Sequence, residues 1–102
     1  MSIWEILVPT MTPTGRPIRT RQHRVWDEKV REITGGLTVM PPVRGQWISP
    51  DDELFLERMI PVRIACTREQ IKEIAMMTIK FYDQLAVMYY RISSEVYTLE
   101  KK

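Results

Sequence analysis

The segment from Gly35 to Glu57 constrains the fold most. Two glycines close a helical pattern, Leu37-Thr38-Val39 starts an extended run, Gly45-Gln46-Trp47 resumes it beyond Pro41-Pro42, and an alternating stretch follows through Glu57. A hairpin entered directly from a helix calls for at least one helix packed on antiparallel strands. The same segment holds no metal-ligand cluster, nucleophile elbow or phosphate loop, so it defines an architecture and a face, not a reaction.

The flanking residues supply the other elements. Ile3 to Val8 is a short apolar run broken only by Glu5 and stopped by Pro9, which predicts a first strand. Residues 9 to 20 carry three prolines, a glycine and four threonines and are expected to form an exposed Pro/Arg-rich loop. Trp26, Val30 and Ile33 then recur at helical spacing, with Thr20 as the expected N-cap and Gly35-Gly36 as the stop. A second strand is expected from Leu37 to Met40 and again from Gln46 to Ile48. Two prolines within it require an edge position or a bulge. Ser49-Pro50-Asp51-Asp52 has turn chemistry.

In the next run Leu54, Leu56, Ile60, Val62, Ile64 and Cys66 share one face by period two, and Phe55, Glu57, Met59 and Arg63 share the other. Arg58 interrupts the apolar set, which predicts a bulge or a strand end that projects from the core. Thr67-Arg68-Glu69-Gln70 matches a capping box and marks a second helix, whose stripe runs through Ile71, Ile74, Ala75, Thr78, Phe81, Tyr82 and Leu85. A last strand is expected at Val87 to Ile92, and residues 97 to 102 form a charged tail expected to fray.

The order is β-α-β-β-α-β, an α+β fold of the ferredoxin-like (split βαβ) type: a four-stranded antiparallel sheet with two helices on one face. With 102 residues, the chain has the size of one domain spanning residues 1 to 102. A domain this small buries a modest share of its surface, so self-association is expected. The face opposite the helices should carry Phe55, Glu57, Met59 and Arg63, with Tyr89 and Arg91. That mixture is too apolar for a plain solvated surface and too charged for a core.

The Gly-Leu-Thr-Val and Gly-Gln-Trp motifs, Glu57, and a second helix leading through Tyr82 to Gln84 and Val87 resemble a small uncharacterised family of ferredoxin-like proteins. They are also similar to stand-alone dimeric α/β-barrel modules. The resemblance covers roughly residues 22 to 92 and implies architecture and self-association more than activity. The Pro/Arg-rich loop and Pro41-Pro42 depart from the pattern.

Composition excludes several chemistries. One cysteine, Cys66, rules out an intrachain disulfide and a cysteine-cluster zinc site, and His23 is the one histidine, so no metal or cofactor is expected. Fifteen Lys and Arg against 13 Asp and Glu leave a net charge of +2, too balanced to announce a nucleic-acid binder. No segment reads as export signal or membrane span, and a cytoplasmic location is expected.

The candidate site residues follow from charge and face. Arg16, Arg19, Arg21 and Arg24 gather before and within the start of the first helix and could chelate a small anion, with weak nucleic-acid binding through the same segment as a further alternative. Set against this, cations oppose the dipole at a helix start. His23 lies in the range for general-base work, but its position suits a ring that closes the core edge with one hydrogen bond. Glu57 could be a second base or a ligand anchor beside Trp47; an ion pair with Arg63 or Arg91 is the commoner role for such a carboxylate. Phe55, Met59, Met76, Ile79 and Tyr89 are the candidate interface residues, and Cys66 has the parity of an inert core thiol. The expected function is a homo-oligomeric small-molecule-binding or regulatory and scaffolding module, most simply a dimer. The alternative is a cofactor-independent enzyme on a small anionic substrate, for which His23 and Glu57 should converge on one cavity.

Overall fold

The computed structural model describes residues 1–102. Its elements are β1 (Ser2–Pro9), α1 (Thr20–Thr34), β2 (Thr38–Val39), β3 (Val43–Ile48), β4 (Leu54–Cys66), α2 (Arg68–Phe81) and β5 (Tyr89–Ser93). The sheet order is β2-β4-β1-β5, with β3 paired to β4 beyond β2, and every pairing is antiparallel. This is the expected α+β, ferredoxin-like arrangement with both helices on one face. No helix is long and apolar enough to cross a membrane.

The sheet has five strands instead of four because Pro41 and Pro42 split one edge strand into β2 and β3. Val39 pairs with Val62 and Val43 with Met59, so Met40 to Pro42 oppose only Ile60 and Pro61. Prolines have no amide to donate to a ladder, and the extra residue is absorbed as a bulge. β3 resumes three residues earlier than expected, at Val43.

Helix boundaries follow local chemistry. Thr67 Oγ1 accepts from the Gln70 amide at 3.1 Å and Gln70 Oε1 accepts from the Thr67 amide at 3.0 Å, the reciprocal pair of a capping box. The Gln70 amide group also donates to the Ile33 carbonyl at 3.1 Å, tying the start of α2 to the end of α1. At α1 the N-cap is Arg19 and not Thr20: Gln22 Oε1 closes back on the Arg19 amide at 3.1 Å, so a glutamine at the third position caps without a side-chain acceptor at the N-cap. Gly35 adopts a left-handed φ of 88° and donates to the Arg31 carbonyl, which ends the helix. The α2 stripe ends at Tyr82. Leu85, expected on that stripe, is fully exposed because the helix stops at Phe81 and Asp83 turns the chain with φ 53°.

Trp4, Ile6 and Val8 of β1 and Val62, Ile64 and Cys66 of β4 meet Trp26 and Val30 of α1 and Ile71, Ile74, Ala75 and Tyr82 around α2 to form the core. Ile18, from the loop expected to be exposed, also enters it, and a bridge between Met11 and Pro17 shapes that loop into a tight excursion. Pro9 at the end of β1 pairs with Met59, so Leu54 to Arg58 run past β1 and pair only with β3. The hairpin therefore projects, and the molecule measures 54 × 28 × 24 Å. Leu56 has the parity of the buried set yet is 70% exposed, because no helix reaches that far.

Candidate functional site

Three groups of side chains stand out, on different parts of the fold. The first is on the sheet face away from the helices. Period two puts Trp4, Ile6 and Val8 against the helices and Glu5 on the opposite face, where it is only 8% exposed. Register brings Arg63 and Tyr90 alongside it. Arg63 Nε donates to Glu5 Oε1 at 3.0 Å, and the Tyr90 hydroxyl donates to Glu5 Oε2. The bond to Glu5 is the main reason the Tyr90 phenol is held above its ordinary value. Tyr89 and Arg91, expected on this open face, lie instead on the helix side, opposite Ile6 and Trp4, and the Tyr89 ring sits 6.2 Å from that of Trp4. A strand's two faces differ by one residue, and the register of β5 against β1 selects Tyr90 for the open side. Glu5 and Tyr90 carry a signal that the alternation in β1 and β5 contains, but only pairing shows that they meet Arg63.

The second group is the hairpin. Trp47 and Phe55 are cross-strand partners on the open face, stacked with ring centroids 4.6 Å apart and planes 14° from parallel. Glu57 lies on the same face opposite Gly45, with no ion pair to Arg63 or Arg91, since Arg63 is committed to Glu5. The Met59 methyl fills the space over Gly45 that a Cβ would take. Met76 is 58% exposed and Ile79 half-buried on α2, where Met76, Met77, Phe81, Lys29 and Lys80 line a shallow groove between the helices.

The third group sits where the start of α1 meets the end of α2. His23 Nδ1 and the Tyr82 hydroxyl are 2.7 Å apart, and the Trp26 indole donates to Thr78 Oγ1 at 2.9 Å in the core. Burial pushes the His23 imidazole below its ordinary value, opposed by Asp27 one turn on, and burial pushes the Tyr82 phenol well up, with Asp27 adding to it. Both groups are therefore neutral at pH 7. Arg19, Arg21 and Arg24 are exposed around this corner. His23 belongs to the helix layer and Glu57 to the opposite face of the sheet, so the two candidate bases do not converge. Burial raises the Cys66 thiol to about 11, which leaves it protonated and unreactive at neutral pH. No three His, Cys, Asp or Glu side chains are grouped to hold a metal ion.

The lowered His23 value has a consequence for stability. The unfolded state takes up a proton near the ordinary value of 6.5 while the folded state resists it, so the stability this ring contributes is full above pH 6.5 and is lost as pH falls through the folded value. Asp27, raised by its own burial, acts in the opposite sense, its contribution being full at acid pH and lost as pH rises. Thermal unfolding followed from about pH 7.5 to about pH 5.5 is expected to show a falling midpoint, and His23→Gln to flatten that fall.

No protein-family model and no curated protein sequence matches this chain. Solved structures do. The periplasmic divalent cation tolerance protein CutA of Archaeoglobus fulgidus superposes with a TM-score of 0.68 over 95% of this chain and 86% of that one, at 8% identity. The fold is CutA-like. The divalent cation tolerance protein CutA1 of Thermus thermophilus gives 0.65 over 94% and 86%, at 10% identity. A phage SAM lyase in complex with S-methyl-5'-thioadenosine gives 0.66 over 94% and 92%, at 13% identity. At such identities the likeness is one of chain path and carries no residue's role across.

Proposed function

We propose that the protein is a homo-oligomeric small-molecule-binding module, most simply a dimer, in which a second copy covers the open sheet face and the projecting hairpin. The observation that supports this reading is the hairpin itself. It carries Trp47, Ile48, Leu54, Phe55 and Leu56, each between 38% and 70% exposed, on a ribbon with no core beneath it. A lone two-stranded ribbon is marginal in water and exposed apolar patches are costly, so a second copy is the simplest cover. The outer edges of β3 and β5 are both unpaired and offer backbone groups for strand addition.

Sedimentation equilibrium at micromolar concentration is expected to give an oligomer. A monomer there refutes the reading. Trp47→Ala combined with Phe55→Ala should shift the distribution toward monomer while leaving the far-ultraviolet spectrum of the core elements unchanged, because neither ring packs on the core.

A lyase is the second reading, favoured by the hydrogen-bonded carboxylate, phenol and guanidinium of Glu5, Tyr90 and Arg63 on the open face, a set able to hold and pass a proton. Incubation with S-adenosylmethionine and chromatography for S-methyl-5'-thioadenosine tests it directly. Release abolished by Glu5→Gln supports a lyase; no release with the wild-type protein leaves the binding module.

A further inference from the structure

The helix-side face of the projecting hairpin holds two arginines where the pattern of the rest of the strand calls for apolar residues. Arg44 and Arg58 are direct cross-strand partners and therefore project from the same face. Both are exposed, neither side chain has a hydrogen-bond acceptor, and the molecule's one ion pair, Arg63 with Glu5, involves neither. Like charges directly opposite one another on a strand pair destabilise it, so this arrangement costs the hairpin stability unless an anion lies between them. A cavity of about 240 Å³ opens here, lined by Arg44, Gly45, Gln46, Leu56, Glu57 and Arg58.

The loop that follows β1 is tied to the base of this hairpin. Just beyond Pro9, Thr10 Oγ1 donates to the Arg58 carbonyl at 2.6 Å, fixing the start of the loop against the hairpin base. The loop then continues through Arg16 and Arg19 into α1. Glu57 also borders the cavity, but strand alternation starts its side chain on the opposite face and it forms no ion pair with either arginine.

We propose that this inner corner is a binding site for the phosphate group of a small molecule, with Arg44 and Arg58 as a paired clamp and Gln46 as an additional donor. Two guanidiniums on adjacent strands offer planar, bidentate donors from two sides, which matches a tetrahedral dianion better than a single carboxylate. The site deepens the small-ligand part of the function proposed above and does not depend on the self-association part. An acidic segment of a second copy is the other possible counter-charge, and the test separates the two.

Isothermal titration of the full chain with inorganic phosphate and with pyrophosphate, at constant ionic strength set with chloride, reads the proposal directly. Binding is expected for the wild type and, within error, for Lys29→Gln on the far helix groove. Arg44→Gln and Arg58→Gln should each weaken it by roughly tenfold or more, the loss expected for a charge-assisted hydrogen bond. Both variants should retain the wild-type circular dichroism, being surface changes. The proposal is overturned if phosphate gives no more heat or thermal stabilisation than chloride, or if all variants respond alike. It is also overturned if Arg44→Gln and Arg58→Gln change the sedimentation mass but not the phosphate response, which would assign the pair to contacts between copies. A monomeric wild type that binds phosphate through both arginines would refute self-association while sustaining this site.

Discussion

Replacing Trp26 with alanine is expected to cost about 3–5 kcal/mol of unfolding free energy, the range for truncating a large buried aromatic. Trp26 is 1% exposed, belongs to the core cluster, and carries a buried hydrogen bond from its indole to Thr78 Oγ1 of α2. A domain of this size has about 5–15 kcal/mol in all, so the variant should be near the limit of folding at 37 °C. Two milder variants separate packing from hydrogen bonding. Trp26→Phe keeps most of the volume and removes the donor, while Thr78→Val keeps the volume of its partner and strands the indole N–H in the core. An unsatisfied buried donor costs about 1–3 kcal/mol, so Thr78→Val should lower the melting temperature by several degrees. Thr78 also donates to the Ile74 carbonyl at 2.6 Å, a bond whose loss frees an already helical carbonyl and adds little. Calorimetric or denaturant unfolding that finds Thr78→Val as stable as the wild type would refute the assigned bond.

Replacing Glu5 with leucine is expected to have the second largest effect, about 1.5–3 kcal/mol from its charge-assisted bonds, taken at the low end because the Arg63 side chain is 45% exposed and water can replace part of the interaction. Glu5→Gln keeps the shape and should cost less. The more specific consequence is for Tyr90. Its phenol is held up first by the hydrogen bond to Glu5, so removing the carboxylate should bring its titration down toward the ordinary tyrosine value of 10. The wild-type contribution from this tyrosine is full below pH 10 and lost as pH rises through its raised folded value, and in Glu5→Gln that alkaline loss should diminish. Ultraviolet phenolate titration of the two proteins measures the difference, and identical curves would refute the contact. Tyr82 provides an internal contrast: buried against His23, it should ionise only as the protein unfolds.

The legible parts of this chain are those decided within a few residues of one another. Gln70 lies three residues beyond Thr67, so one turn of backbone suffices to close the capping box, and a glycine at the end of α1 is enough to admit a left-handed φ. Alternation along β4 correctly separated Val62, Ile64 and Cys66 from Phe55, Glu57 and Arg63, and the charged Arg58 within the apolar set marked a strand that leaves the core.

The candidate site was less legible because it depends on pairing between distant segments. Glu5 meets Arg63 and Tyr90 across 58 and 85 residues of chain, and His23 meets Tyr82 across 59. Tyr89 and Tyr90 are adjacent and chemically alike, yet register against β1 sends them to opposite faces. Arg58 alone marks only a break in the apolar set, and only the hairpin register makes Arg44 its partner.

The sequence by itself thus determined the element order, the helix limits at Gly35 and Thr67 and the two faces of β4, because capping and periodicity are local properties of the backbone. Tertiary structure decided which polar residues share a face, since a bulge at Pro41-Pro42 or a one-residue shift in β5 reverses every side chain beyond it.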